Sequence, residues 1–226
     1  MSNFTIWRSL VDGQGVGATP DSVVSRWQFN EGSGSTAIDS ANGNDGTING
    51  ATYTTYSADG SHALSFDGVD DNVNIGRPAN LEWDGESMSI SAWFKFSNLS
   101  DNATILSDRS GVEPWYFFRV NSSGEVRFVL NTDGDSQTVE TTATFDDGNF
   151  HFATISYQDG GTSRIFVDGV EEASTTVASK SAYSYQDDLQ IGERPDGNEP
   201  ANGLLDDVSW ASSALTLSEH DSLRNA

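Results

Sequence analysis

The chain has no cysteine, so no disulfide staples it and no thiolate supplies chemistry. Bases are nearly as scarce. Lysine and arginine together number 11 against 34 acids, a formal charge of −23, and the only lysines are Lys95 and Lys180. A field of that sign repels a phosphate backbone before contact forms, which excludes nucleic acid as a partner. The histidines, His62, His151 and His220, are scattered, and without cysteine they give no zinc-ligand spacing. No apolar run approaches the roughly 20 residues of a membrane-crossing helix, so no membrane insertion is expected. Met1 to Arg8 lacks a basic leader followed by an apolar stretch, so it does not read as a secretory signal, and synthesis in a cytoplasm is expected. Abundant Asp with almost no lysine points to a protein adapted to molar salt, where screening shortens self-repulsion. A calcium-loaded extracellular protein is the alternative.

What is present is β-patterning in a chain of 226 residues, a length that suits one large all-β domain. Residues 1–21 stand apart as an anchor and linker. Phe4, Ile6 and Trp7 are placed to grip this domain, other copies or a larger assembly, and Asp12 to Pro20 has linker composition. Alternation begins at Val23 and continues through the domain spanning 22–226. Residues 63–76 read as a hairpin, with Leu64 and Phe66 on one strand, Val73 and Ile75 on the next, and Asp67-Gly68 and Asp70-Asp71 between. Ser87 to Phe96 is the cleanest strand, with Met88, Ile90, Ala92, Phe94 and Phe96 on one face and serines, Trp93 and Lys95 on the other. About nine further strands follow, among them Trp115–Asn121 and Glu125–Asn131, with Asp159-Gly160-Gly161 and Asp168-Gly169 as turns. One short helix is expected from Leu217 to Leu223, opened by a Thr216/Glu219 capping box. Many short strands with Gly- and Asp-rich turns argue for an all-β sandwich or barrel.

Several motifs in order resemble the laminin-G-like branch of the concanavalin A-like lectin/glucanase sandwiches. They are Trp27-Gln-Phe-Asn-Glu-Gly-Ser-Gly34 with Asp39-Ser40 and Asn42-Gly-Asn44, then Phe66-Asp-Gly68 with Asp70-Asp71, Ser89-Ile-Ser-Ala-Trp93, Arg164-Ile-Phe-Val-Asp-Gly169, and Gly203-Leu-Leu-Asp-Asp-Val208 followed by Ala214-Leu-Thr216. The resemblance covers nearly everything from Val23 onward. It implies an antiparallel two-sheet jelly roll whose first and last strands are neighbours.

Asp39, Asn42, Asn44 and Asp206 are oxygen donors of the kind calcium takes, and backbone carbonyls near Glu31 and Gly43 could complete a shell. Asx-turns use the same residues with no metal. In proteins the chain resembles, the early Asp/Asn loop and the Asp of the last strand hold calcium, which implies a structural Ca2+ clipping the chain's ends together. Asp67, Asp70 and Asp71 form a second acidic group, read as turn residues. Glu82-Trp-Asp-Gly-Glu86 matches the E-x-D-x-E pattern of laminarinase-type glucanases, but the interposed Gly85 and its place before a strand argue against a rigid catalytic pair, so no catalytic residue is assigned. Sugar recognition needs an aromatic platform with amides, carboxylates or arginine to fix hydroxyls. Arg109, Trp115, Tyr116, Asn131, Asp133, Tyr183, Tyr185 and Arg194 are the candidates. The expectation is a non-catalytic carbohydrate-recognition or adhesion module, with a glycan or host-surface glycoprotein as partner. Its expected setting is a virion surface (tail fibre, spike or capsid decoration) of a virus infecting halophiles, or else a cell surface. A glycoside hydrolase or its carbohydrate-binding domain, and a purely structural decoration protein, are the rival readings.

Overall fold

In a computed structural model of the chain, the described residues are 18–83, 85–109, 115–132, 134–181 and 187–226. The first strands are β1 (Val23–Trp27), β2 (Thr36–Ala37), β3 (Gly46–Asn49), β4 (Thr52–Thr54), β5 (Ala63–Asp67) and β6 (Asn72–Gly76). Then come β7 (Met88–Phe96), β8 (Ala103–Ser107), β9 (Trp115–Val120), β10 (Glu125–Thr132) and β11 (Asp135–Thr144). The last are β12 (His151–Tyr157), β13 (Thr162–Val167), β14 (Val170–Thr176), β15 (Leu189–Ile191) and β16 (Asn202–Ala211), with helix α1 (Leu217–Arg224) after them. They make two eight-stranded antiparallel sheets. Sheet I runs β14-β13-β12-β7-β16-β5-β4 with β1 also on β16, and sheet II runs β11-β10-β9-β8-β15-β6-β3-β2. First and last strands pair, Trp27 facing Val208.

The core lies between the sheets. Ile90, Ala92, Phe94 and Phe96 of β7 meet Tyr116 and Phe118 of β9, Phe128 of β10 and Ile191 of β15 in one buried cluster. Burying a side chain of this size contributes about 1.5–3 kcal/mol. The 63–76 segment is not a hairpin. β5 pairs with β4 and β16 in sheet I, whereas β6 pairs with β3 and β15 in sheet II. The Asp67–Asp71 turn is therefore an arch between sheets. Leu64, Phe66, Val73 and Ile75 all enter the core, but from opposite walls. A period of two describes a hairpin and an arch equally well.

The outer face of β7 also departs from its expected polarity. Ser89 and Ser91 are buried because the chain beyond β16 lies over them. Ser89 Oγ donates to the Ser213 carbonyl at 2.7 Å and accepts from the Leu215 N–H at 2.8 Å. Leu215 and Leu223 pack with Val23, Phe152 and Ala211 as a second, smaller core, with Trp93 against it. Helix α1 has the expected capping box at Thr216 and Glu219. Among the described residues no helix is long and apolar enough to cross a membrane.

Candidate ligand-recognition face

Alternation on sheet II sends Tyr116, Phe118 and Val120 inward from β9, and Val126, Phe128 and Leu130 inward from β10. Trp115, Phe117 and Arg119 are left on the outer face, opposite Asn131, Val129 and Arg127 respectively. On β8, Thr104 lies opposite Arg119 and Ser107 opposite Phe117, and Gln190 of β15 follows Ser107. Trp115, Phe117 and Val129 form an apolar cluster separate from the main core. Arginines cover it. The Arg109 guanidinium carbon sits 4.3 Å from the Trp115 ring centroid and 5.5 Å from that of Phe117, and Arg119 sits 4.4 Å from Phe117. The two rings stack at 5.6 Å and 12°. Each cation–π contact contributes about 0.5–2 kcal/mol, more as water is excluded.

The loop after β15 folds over this face. Gly192 has φ +88°, and a Cβ there would meet Phe66 at 2.2 Å, so only glycine makes this turn. The loop closes through the Ala201 N–H on the Gly192 carbonyl at 2.7 Å. It brings Glu199 between two arginines, accepting from Arg119 at 2.6 Å and from Arg194 at 3.2 Å. Asp196 takes a further Arg194 N–H. Glu199 holds φ +55°, an unusual conformation for a residue with a Cβ, and its carbonyl accepts from the Thr104 N–H at 3.1 Å. Two guanidinium groups, those of Arg119 and Arg194, thus share two carboxylates. Arg109 makes no ion pair among the described residues, and it alone of the three is only half-buried. Burial first, then the charges of Arg194 and Arg119, pull its pKa below the ordinary guanidinium value against Glu199 and Asp196. The Nε atoms of Arg109, Arg119 and Arg194, with Thr104 Oγ1 and Gln190 Oε1, are buried without hydrogen-bond partners among the described residues, and Arg127 Nε meets Glu140 only at ion-pair distance, 3.6 Å.

Of the sequence-predicted ligand residues, Arg109, Trp115, Asn131 and Arg194 come together here. Tyr116 does not. It is fully buried against Phe128, since its neighbours on β9 occupy the outer face. Asp133, Tyr183 and Tyr185 lie outside the described residues, as does the anchor at Phe4, Ile6 and Trp7. Sequence reasoning missed Phe117, Arg119 and Glu199. The alternation Trp115, Phe117, Arg119 carried the signal, because an arginine two and four residues from aromatics marks them as sharing its face. The aromatic platform is also corrected. Trp115 is 8 % exposed and Arg109 lies over its ring, so the ring offers little open aromatic face.

The four residues expected to share a calcium are each engaged in hydrogen bonds of their own. Asp39 accepts from Ser25 Oγ and from the backbone N–H groups of Arg26, Ala41, Asn42 and Asn44. Burial would raise its pKa, but those backbone bonds outweigh it and hold the carboxylate below the usual range. Five donors leave its oxygens little capacity for a cation. Asn42 donates to the Val24 carbonyl and Asn44 to Ser25 Oγ. Asp206 lies on β16, where its Oδ2 accepts from the Ala58 and Asp59 N–H groups while its Oδ1 is buried with no hydrogen-bond partner among the described residues. Burial, with the charges of Asp207 and Asp59, pushes its pKa up to about 7 despite those two bonds. The Asx-turn alternative describes Asp39 better than a metal does.

Asp67, Asp70 and Asp71 converge, with one oxygen of each within 4.8 Å of the others. They also serve the arch, as Asp71 accepts from the Asp67 N–H and Asp67 from the Val69 N–H. Glu82 and Glu86 lie in the loop before β7, where Trp83 enters the core and donates to the Glu86 carbonyl. Asp84 is outside the described residues. No strand face therefore presents Glu82 and Glu86 side by side.

No protein of curated function matches the sequence. Among solved structures, domain 4 of AbnA, a GH43 extracellular arabinanase from Geobacillus stearothermophilus solved with arabinotriose, aligns with TM-score 0.71 and 19% identity over 89% of this chain and 98% of that one. The botulinum neurotoxin serotype D ligand-binding domain in complex with N-acetylneuraminic acid gives 0.68 and 16% over 90% of this chain. The serotype G binding domain gives 0.69 and 13% over 89%. This chain spans about half the length of these toxin domains, 50% in both cases. Residues 66–219 match the laminin-G-type family model. With that match and the two-sheet sandwich together, the chain belongs to the concanavalin A-like lectin/glucanases superfamily.

Proposed function

We propose that the chain is a non-catalytic carbohydrate-recognition module that binds its ligand on the outer face of sheet II, beside Arg109 and Arg194. The observation that carries this reading is the concentration there of buried polar atoms with no hydrogen-bond partner, on a face built with pinned arginines. Native proteins satisfy buried polar groups, and leaving one unsatisfied costs about 1–3 kcal/mol, so a set of them on one face favours a ligand or ordered water completing their bonds there. The neighbours support the class, since one was solved with arabinotriose and another with N-acetylneuraminic acid. Glycan-array screening followed by calorimetry tests it. Binding is expected to be lost in Arg194→Met and kept in Arg164→Ala, on β13 of the other sheet. Absence of binding to every glycan overturns the reading.

We place this module on a virion or cell surface in high salt, displayed through residues 1–20. The support is the charge of −23 with two lysines. Screening contracts from about 10 Å at 0.1 M salt to about 3 Å at 1 M, so the melting temperature should rise steeply with KCl across that range. A flat response overturns the high-salt assignment.

A further inference from the structure

The arginine cluster narrows the ligand beyond its class, and this step rests on the carbohydrate reading above. A neutral sugar is held by stacking on an open aromatic face and by hydroxyl hydrogen bonds. Here the aromatic face is taken. Trp115 carries Arg109 at 4.3 Å and stacks with Phe117 on the same surface. A guanidinium placed over a ring keeps N–H groups in the fork that matches a carboxylate. The other arginines are committed, Arg119 to Glu199 and Arg194 to Glu199 and Asp196. Among the described residues those acids pair with Arg119 and Arg194 and leave Arg109 without an ion pair, and it is the most exposed of the three. Its position is set by the two rings and by the Arg109 N–H on Ser107 Oγ at 2.9 Å. We propose that the ligand is an acidic glycan, a sugar bearing a carboxylate, taken bidentately by Arg109 with Arg194 and Arg119 as the positive surround.

The overall charge opposes such a ligand at long range, yet the two effects separate with salt. At 1 M the Debye length is about 3 Å, so repulsion from the rest of the surface is screened while a contact in a partly buried site survives. An acidic glycan should therefore bind as well or better at 1 M salt as at 0.1 M.

The test is calorimetric titration of the full chain, at both salt concentrations, with two matched pairs, 3′-sialyllactose against lactose and trigalacturonate against galactotriose. At least one acidic member is expected to bind about tenfold or more tighter than its neutral partner, the size of one charge-assisted hydrogen-bond pair. Arg109→Gln should remove that preference, and Arg109→Lys, which keeps the charge without the fork, should restore only part of it. Circular dichroism of both variants secures the fold. Equal binding of acidic and neutral members, or an unchanged preference in Arg109→Gln, overturns this proposal and leaves the carbohydrate module standing. Failure of all glycans to bind overturns both. A sulfated galactose bound in preference to both carboxylates would overturn the carboxylate assignment.

Discussion

Under helix α1, the outer face of sheet I carries Ser89, Ser91 and Thr154, which with His220 of the helix are all buried and all hydrogen-bonded to one another or to the backbone. On the outer face of sheet II, Arg109, Arg119, Arg127, Arg194, Thr104 and Gln190 are equally polar, and each keeps a buried atom with no hydrogen-bond partner among the described residues. Both faces begin as the same thing, the solvent side of a half-buried antiparallel sheet. The first is finished by the chain's own C-terminus and the second by a loop that brings charges rather than apolar cover. One patch is built for stability; the other spends some of it. Substitutions should divide the same way, with stability lost on sheet I and binding lost on sheet II.

The largest effect is expected at Phe152. It is fully buried, with its ring 5.2 Å from Trp93 and 5.0 Å from His220, and it belongs to the small core beneath α1. Phe152→Ala should destabilise by about 3–5 kcal/mol in urea unfolding, with glycan affinity of the folded fraction unchanged. A loss under about 1 kcal/mol would show that the patch under α1 is not a packed core.

The next effect is pH-dependent. The Gly169 N–H donates to His220 Nε2 at 3.1 Å, so the ring proton sits on Nδ1 and donates to Thr154 Oγ1 at 2.8 Å. A second proton would set donor against donor. Burial first, then the charge of Arg224, lowers the His220 pKa to about 4. Its contribution is therefore complete above about 6.5, the unfolded value, and is lost as pH falls through about 4. Asp206 has the opposite sign. Its folded pKa of about 7 exceeds the unfolded value, so its contribution is complete below about 4 and is lost as pH rises through about 7. Each shift corresponds to roughly 3–4 kcal/mol, and between pH 4 and 6.5 the two slopes oppose each other. Asp206→Asn should uncover stability falling with acid, and His220→Gln stability rising with acid, both read from urea midpoints against pH. Parallel profiles for the two variants would refute the assignment.

Much of the fold was legible because period two is a local property. The strand faces of β7, β9 and β10 follow from alternation alone, and the capping box of α1 follows from Thr216 and Glu219 three residues apart. Pairing is not local. The Asp67–Asp71 turn looked like a hairpin because its two strands alternate correctly, and nothing within them says that β4 and β16 claim one and β3 and β15 the other. The site was legible in part for the same reason. Arg109, Trp115, Asn131 and Arg194 stood out by residue type, but Glu199 becomes part of the cluster only through the loop that Gly192 turns. The proposed calcium ligands show competition. Asp39 has the right oxygens, and nearby N–H groups reach them first.

Two smaller effects sharpen the contrast. Thr216→Ala removes the hydroxyl that accepts the Glu219 N–H at 3.3 Å, and should cost about 1 kcal/mol by fraying α1 over the sheet I patch. Arg109→Met on sheet II should change stability by no more than about 0.5 kcal/mol, and its sign is informative. The substitution gives up cation–π contacts with Trp115 and Phe117, yet it also removes a cation that burial and the neighbouring charges of Arg194 and Arg119 disfavour. Methionine keeps most of the apolar contact with the rings. If the variant is as stable as the parent or more so while acidic glycans no longer bind, Arg109 is held at the site against the stability of the fold, as residues kept for binding are. A loss above about 2 kcal/mol would instead make Arg109 a structural cover for the Trp115–Phe117 cluster, and the two outer faces would then differ only in composition.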